Sequence, residues 1–165
     1  AASGEAVCLE RRAEQLALFS ALCLDRRRAT VRIRLNKLMV SGPLARDLLG
    51  LAARRHRDFD TINTATALLQ LSRAGFRPAG APPEDAAAFG LLLEALQCGA
   101  ASAPARALSN AAYALAQMGA CSGPALETVE AQLAARAGEL SASELAAVAW
   151  AAASCRRQAE ALWSA

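Results

Sequence analysis

Two groups of cationic side chains have the residue types and the spacing to bind phosphate. The first surrounds a triple-arginine run at a predicted helix over 28–40, and the second ends a predicted helix over 43–57. The candidates are Arg26, Arg27, Arg28, Arg32, Arg34 and Lys37 in the first group, and Arg54, Arg55 and Arg57 in the second. Helical spacing places Arg27, Arg34 and Lys37 on one face. Guanidinium groups bind phosphate in a bidentate manner, which gives affinity without sequence selectivity.

We predict RNA-backbone contacts for both cationic groups, with an alternative for each. The first group can equally be a solvated helix surface and loop. The second group lies at a helix C-terminus, where cations are favoured by the helix dipole whether or not RNA is present.

Two asparagines and two aromatic residues are further candidates for contacts with RNA bases. The amides of Asn63 and Asn110 can hydrogen-bond to base edges, or else form helix–helix hydrogen bonds inside the fold. Tyr113 and Trp150 can stack on bases. Their matched positions in two similar segments favour packing between those segments instead.

Few residues in the sequence have the type and spacing that catalysis or metal binding requires. His56 is the only histidine, and the sequence specifies no partner carboxylate or nucleophile for it. The cysteines include no C-x-x-C pair, so we expect no disulfide framework and no zinc site, and mostly buried thiols in a reducing compartment. These cysteines are Cys8, Cys23, Cys98, Cys121 and Cys155. No P-loop, GxGxxG, GxSxG or HExxH motif is present. We therefore predict no enzyme, no metal, no cofactor and no small-molecule substrate.

The elements that carry these residues are predicted to be helices. Ala and Leu account for 44 and 25 of the 165 residues, whereas aromatic residues make up only 4 %. Ala and Leu favour helices, and strands prefer the residue types that are scarce here. Pro43, Pro83 and Pro124 are spaced by 40 and 41 residues, and each precedes a helical pattern. The predicted helices cover 5–24, 28–40, 43–57, 60–75, 84–98, 104–119, 124–138 and 142–155.

Capping signals mark the ends of several predicted helices. Asp60 is a candidate N-cap, and Ser141 with Glu144 forms a candidate capping box. Gly75 and Gly119 are candidate C-cap residues. These signals divide each period of about 40 residues into two helices.

Pairs of helices repeat along the chain. Residues 108–114 match 145–151 at an offset of 37, and 63–68 match 110–115 at an offset of 47. One Ala/Leu hairpin cannot bury its apolar face alone, whereas stacked hairpins bury it continuously. We predict an all-α fold, specifically an α-solenoid of about four helical hairpins (about eight helices) with a period near 40. The predicted single domain, 1–165, consists of a degenerate basic hairpin at 1–42 and repeats at 43–81, 82–122 and 123–165.

The segment 108–119, Leu-Ser-Asn-Ala-Ala-Tyr-Ala-Leu-Ala-Gln-Met-Gly, resembles the octotricopeptide repeat of algal organelles. The segment 145–155 looks like a second copy, with Trp150 at the aromatic position. Both are similar to the heptatricopeptide repeats of FAST-kinase-like and apicomplexan mitochondrial proteins. The resemblance covers 43–155 and extends poorly to 1–42, and no RAP domain is recognisable. It implies an α-solenoid that binds RNA in a mitochondrion or chloroplast, in transcript processing or as a structural part of a mitochondrial ribosome.

Charge is distributed unevenly between the two halves of the chain. Residues 1–80 carry a net charge of +7, and residues 81–165 carry −4. We expect a non-catalytic organellar RNA-binding protein that contacts RNA, in particular rRNA, through its basic first half and has neighbouring ribonucleoprotein subunits as partners. The expected location is the mitochondrion, with a chloroplast or other plastid as the alternative. The alternative function is a protein–protein scaffold of the TPR or HEAT type, without RNA contact.

No apolar stretch reaches the length that a membrane span needs, so we expect no membrane partner. Glu5, Glu10 and Glu14 interrupt the first residues, which argues against a secretory signal. No polar capping repeat is evident at either end. Two expectations stay open for the ends: the chain is part of a longer array, or its ends dock on partners.

Overall fold

The computed structural model describes residues 26–41 and 44–155, and this part of the chain is all-helical. Its helices are α1 (26–40), α2 (Ala45–Arg55), α3 (Thr61–Arg73), α4 (Pro83–Gly99), α5 (Ala105–Met118), α6 (Pro124–Ala135) and α7 (Ala142–Ser154). The predicted all-α fold is confirmed. Six of the predicted helices begin and end within three residues of α2 to α7. Several positions of the sequence analysis lie outside the described residues, namely the predicted helix 5–24, Pro43, Cys8, Cys23 and Trp163.

Two capping boxes set the starts of α3 and α7. The Asp60 carboxylate accepts a hydrogen bond from the backbone N–H of Asn63, at 2.8 Å, and the Asn63 amide oxygen accepts one from the backbone N–H of Asp60. Ser141 and Glu144 exchange the same pair of hydrogen bonds at α7. These contacts satisfy N–H groups that have no partner within a helix. Both predicted caps are confirmed.

Glycine ends α3 and α5 in the left-handed backbone conformation. Gly75 has a φ of 75° and Gly119 has a φ of 77°. The next residue after each glycine donates its backbone N–H to a carbonyl oxygen five residues earlier, as in a Schellman motif. Gly119 is the C-cap of α5, as predicted, whereas Gly75 lies one residue beyond the C-cap of α3.

The connections from α2 to α3, from α4 to α5 and from α6 to α7 share one design. Each consists of a 3₁₀ turn, one buried residue with extended backbone and then the N-cap of the next helix. The buried extended residues are Phe59, Ala103 and Leu140. The chain therefore contains three structurally equivalent helical hairpins within 44–155.

The equivalent N-caps fix the register of the three hairpins. Asp60, Pro104 and Ser141 are separated by 44 and then 37 residues. The second spacing equals the predicted offset of 37, but the first differs from the predicted 47 by nearly one helical turn. The structure therefore aligns Asn110 with Thr66, and not with Asn63.

The helices pack in two layers. The A layer consists of α2, α4 and α6, in which α2 packs on α4 and α4 packs on α6. The B layer consists of α1, α3, α5 and α7, in which α3 packs on α5 and α5 packs on α7. The Asn63 amide of α3 donates to the Arg32 carbonyl oxygen of α1 at 3.0 Å, which places α1 beside α3. The finer prediction, a curved α-solenoid, stays a prediction.

Helix α5 is the most buried helix of the described chain, because it lies between α3 and α7. Six of its buried residues are alanines, which let the neighbouring helices approach closely. The buried leucines of the other helices fill the space between the layers, with about 25 cal/mol gained per Å² of apolar surface removed from water. Arg136 joins successive hairpins, because its guanidinium donates to the Ala103 carbonyl oxygen at 2.8 Å.

Cys121 and Cys155 form a disulfide, contrary to the prediction of free thiols. The two cysteines are 34 residues apart, so no short spacing signals the pair. The fold brings the α5–α6 connection to the end of α7, with a Cα–Cα distance of 5.1 Å. Cys98 is a free thiol but is exposed, and Cys121 and Cys155 are half-buried, so the expectation of mostly buried cysteines does not hold for the three described ones.

Candidate nucleic-acid interface

A basic cleft lies between the first half of α1 and the 3₁₀ turn that follows α2. It encloses about 440 Å³ and is lined by Arg27, Arg28, Val31, Arg32, Arg57 and Asp58. The fold thus brings members of both predicted cationic groups to one place. Four guanidinium groups and one carboxylate surround this cleft, so its charge suits an anionic ligand such as a phosphate backbone.

The carboxylates near the cleft already have cationic partners. Asp58 accepts a hydrogen bond from the Nε atom of Arg55, and Asp60 lies 3.9 Å from the Nε atom of Arg32. Arg28 and Arg57 are exposed, and neither forms a hydrogen bond or ion pair within 26–41 or 44–155. These two side chains can therefore turn toward a phosphate without breaking a contact that stabilises the fold.

The other predicted cations lie outside the cleft lining. Arg26, Arg34 and Lys37 are exposed on α1, and Arg54 is exposed near the end of α2. Arg55 is occupied by its ion pair with Asp58. The structure therefore assembles Arg27, Arg28, Arg32 and Arg57 and leaves the remaining five candidates around them.

Asn63 is not available for a base. The residue is only 2 % exposed, and its side chain takes part in the capping box of α3 and donates to the Arg32 carbonyl oxygen. The alternative of a helix–helix hydrogen bond is what the structure shows. We correct the prediction of an RNA contact here, because an amide inside the α1–α3 packing cannot reach a base without opening that contact.

Asn110 lies on the only surface that α5 presents to solvent. Every residue of α5 is buried except Arg106, Asn110, Tyr113 and Gln117, which recur at intervals of three and four residues. The equivalent residues of α3 and α7 are also unburied. We call this surface the B-layer stripe; it comprises Ile62, Thr66, Leu69 and Arg73 of α3, the four α5 residues, and Ser143, Ala147, Trp150 and Ser154 of α7.

The two predicted aromatic residues meet on the B-layer stripe. The ring centroids of Tyr113 and Trp150 are 4.9 Å apart, with an interplanar angle of 41°. Packing between repeats was the favoured prediction, and the ring contact agrees with it. Trp150 is nevertheless 45 % exposed and Tyr113 is half-buried, so neither ring belongs to the closed core. The spacing 106, 110, 113 and 117 is the sequence signal that would have located this surface.

Charge is segregated between the two layers. The helices of the B layer carry eight cationic residues (Arg26, Arg27, Arg28, Arg32, Arg34, Lys37, Arg73 and Arg106) and one acidic residue, Glu144. The helices of the A layer carry three cationic residues (Arg46, Arg54 and Arg55) and six acidic ones (Asp47, Glu84, Asp85, Glu94, Glu127 and Glu130). A polyanion is therefore attracted to the B layer and repelled by the A layer.

The remaining titratable groups do not form a metal-binding cluster in the part of the chain that the structure describes. There, no group of three or more His, Cys, Asp or Glu side chains has the arrangement to hold a metal ion. His56 places its Nδ1 atom 3.2 Å from the Ala52 carbonyl oxygen in the preceding helix turn. No helix within the described ranges has both the length and the apolar character to cross a membrane.

No protein-family model, no curated protein and no solved structure matches this chain. The class of protein is therefore defined by its own architecture. It is an all-helical protein with two layers of helices, a basic cleft and a B layer that is poor in carboxylates.

Proposed function

We propose that this chain is a non-catalytic, RNA-binding helical-repeat protein. The basic cleft carries the proposal, because it joins four arginines from two distant segments beside carboxylates that are already paired. Guanidinium groups in such a cleft contact phosphates whatever the RNA sequence. The protein then acts as a structural component that holds RNA in place.

The proposal includes a biological setting. A curved α-solenoid in a mitochondrial ribosome or another organellar ribonucleoprotein, in contact with rRNA, fits both the resemblance to octotricopeptide repeats and the stacked hairpins. The setting in a mitochondrion, with a plastid as the alternative, rests on that resemblance alone. The exclusion of enzymatic activity rests on the sequence motifs and is part of the proposal.

Neutralising two cleft arginines tests the proposal directly. Arg28→Gln and Arg57→Gln remove two exposed guanidinium groups that have no hydrogen-bond or ion-pair partner in the described chain. We expect the affinity for a labelled RNA to fall about 2- to 30-fold at fixed salt. The slope of log K against log salt should decrease by about 1 to 2, because each lost phosphate contact removes about 0.7 to 0.9.

The matched control is the double variant Arg46→Gln, Arg77→Gln. It has the same net charge as the cleft variant, but both residues are exposed and lie outside the cleft lining. Equal losses in the two variants would mean that only the overall charge attracts RNA. A salt slope near zero for the unaltered protein would contradict the proposal altogether.

A second candidate function is a protein–protein scaffold without RNA contact. The specific observation in its favour is the set of large apolar side chains exposed near the start of the described chain, namely Ile33, Leu38, Val40 and Leu44. Exposed apolar residues of this kind are typical of surfaces that bind another protein. Affinity capture after nuclease treatment separates the two functions. Partners that remain bound without RNA would favour the scaffold.

A further inference from the structure

We infer that Trp150 and Tyr113 form a stacking platform for unpaired bases, so that the RNA is single-stranded where it crosses the B-layer stripe. This inference rests on the RNA binding proposed above. It assigns a second contact surface, separate from the arginine cleft, and it identifies the part of the RNA that binds there.

The exposure of the indole is the first observation. Tyr113 packs against Trp150 at a centroid distance of 4.9 Å, and this contact orients the indole. Trp150 as a residue is still 45 % exposed, so it remains in contact with water. Stacking of a base on such a ring contributes substantially to binding, and it tolerates any base because every base has a π-face.

The polar neighbours of the two rings are the second observation. Asn110 and Gln117 lie one helical turn before and after Tyr113 on α5, and Arg106 lies one turn before Asn110. Amide groups pair with the edges of bases that are no longer paired with each other.

The scarcity of carboxylates at this surface is the third observation. The B-layer stripe carries Arg73 and Arg106 but neither Asp nor Glu. Glu144 of α7, which interacts with Arg106, is the one acidic residue on the described B-layer helices, so an RNA backbone beside the rings meets little fixed negative charge. A duplex fits poorly, because its bases are already stacked on each other and cannot reach an aromatic ring.

Tryptophan fluorescence tests the inference in the full chain. The variant Trp163→Phe leaves Trp150 as the only tryptophan. It is titrated with an oligouridylate, with an RNA duplex of matched phosphate count and with an oligonucleotide of the same length that lacks bases. Binding is followed in parallel by the anisotropy of a label on each nucleic acid.

We expect the oligouridylate to quench Trp150, and we expect the duplex and the base-free strand to bind without quenching. Trp150→Ala should weaken oligouridylate binding about 5- to 150-fold and leave duplex binding unchanged. Trp150→Phe, which keeps an aromatic ring, should retain most of the affinity. Circular dichroism checks that each variant remains folded.

Two other outcomes are distinguishable. Oligouridylate binding with no change in Trp150 fluorescence, and with equal affinity in Trp150→Ala, would overturn the stacking platform and leave the arginine cleft in place. Failure of all three nucleic acids to bind would overturn the proposed function itself, and the stacking platform with it.

Discussion

Gly99, the last residue of α4, lies against Thr61, the first residue of α3. A Cβ atom at position 99 would overlap the Cγ2 methyl group of Thr61. Alanine gains up to about 1 kcal/mol over glycine in helix propensity, but forcing a methyl group into an occupied space costs about 1–3 kcal/mol. The steric cost is the larger of the two. We expect Gly99→Ala to lower the free energy of unfolding by about 1–2 kcal/mol, measured by urea denaturation.

Thr61→Ser supplies the control for this prediction, because it removes the Cγ2 methyl group and keeps the hydroxyl. In that background the overlap is gone and only the propensity gain remains. We expect Gly99→Ala to be neutral or slightly stabilising there, as a double-mutant cycle would measure. The same loss of stability in both backgrounds would mean that Thr61 is not the obstacle.

Asn63 and Asn110 show which part of a residue's role could be predicted from sequence. Both occur in similar short segments, which suggested equivalent positions. Asn63 lies three residues after the N-cap of α3, whereas Asn110 lies six residues after the N-cap of α5, so Asn63 enters the α1–α3 packing and Asn110 faces outward. A match between two short segments does not show this difference, because the position of each asparagine within its helix depends on where the preceding 3₁₀ turn ends.

At the scale of the element, the capping box of α7 connects helix stability to pH. The pKa of Glu144 is lowered from its ordinary value of 4.5, first by the hydrogen bond from the Ser141 hydroxyl, then by the Ser141 backbone N–H, and also by the positive charge of Arg106. The folded state thus binds the Glu144 proton more weakly than the unfolded chain does. This contribution to stability is complete above pH 4.5 and disappears as the pH falls through the folded pKa.

We expect an NMR titration of the Glu144 carboxyl to give a pKa below 4.5 in the native protein. Ser141→Ala should move that pKa upward, because the largest cause of the shift is removed. The same variant should cost about 1 kcal/mol of stability at neutral pH, which is the usual value of an N-cap. An unchanged pKa in Ser141→Ala would contradict the assignment of the hydroxyl as the main cause.

The helices were predictable from sequence because their ends carry local signals. Asp60, Ser141 and Gly119 act through contacts with residues at most five positions away, so the pattern of residue types reports them. The pairing of Cys121 with Cys155 depends instead on α6 and α7 folding back over 34 residues. The basic cleft also depends on packing between separate segments, because it forms only where α1 lies beside the end of α2. Such features follow from packing and leave no signature in local spacing.

The disulfide links the two ends of the last hairpin, which consists of α6 and α7. It joins the α5–α6 connection to the C-cap of α7, and the loop spans 34 residues. Closing a loop of this length contributes about 3–4 kcal/mol in the chain-entropy model. We expect the double variant Cys121→Ser, Cys155→Ser to have a free energy of unfolding that is lower by about 3–4 kcal/mol, measured by urea denaturation. Cys98→Ser is the matched control, because it changes an exposed free thiol. Equal stability of all three proteins would contradict this role.

At the scale of the whole molecule, the fold separates the charges by helix layer as well as by sequence position. Along the sequence, the positive charge is concentrated in the first half and the negative charge in the second. In the folded chain the helices alternate between the layers, so the charges sort by layer as well as by position. Arg106, which belongs to the acidic half, joins the cationic B layer. A ligand that follows the B layer therefore crosses all three hairpins without meeting the acidic A layer.

Arginine footprinting tests that path across the whole molecule. Phenylglyoxal modifies exposed arginines, and peptide mass spectrometry reads the extent of modification at each one. We expect bound single-stranded RNA to protect Arg28, Arg57 and Arg106. Arg28 and Arg57 line the cleft, and Arg106 lies on the B-layer stripe. Arg46 of the A layer should react equally with and without RNA. Protection of Arg46 together with free reaction of Arg106 would place the RNA on the opposite layer, where six carboxylates make phosphate contacts unfavourable.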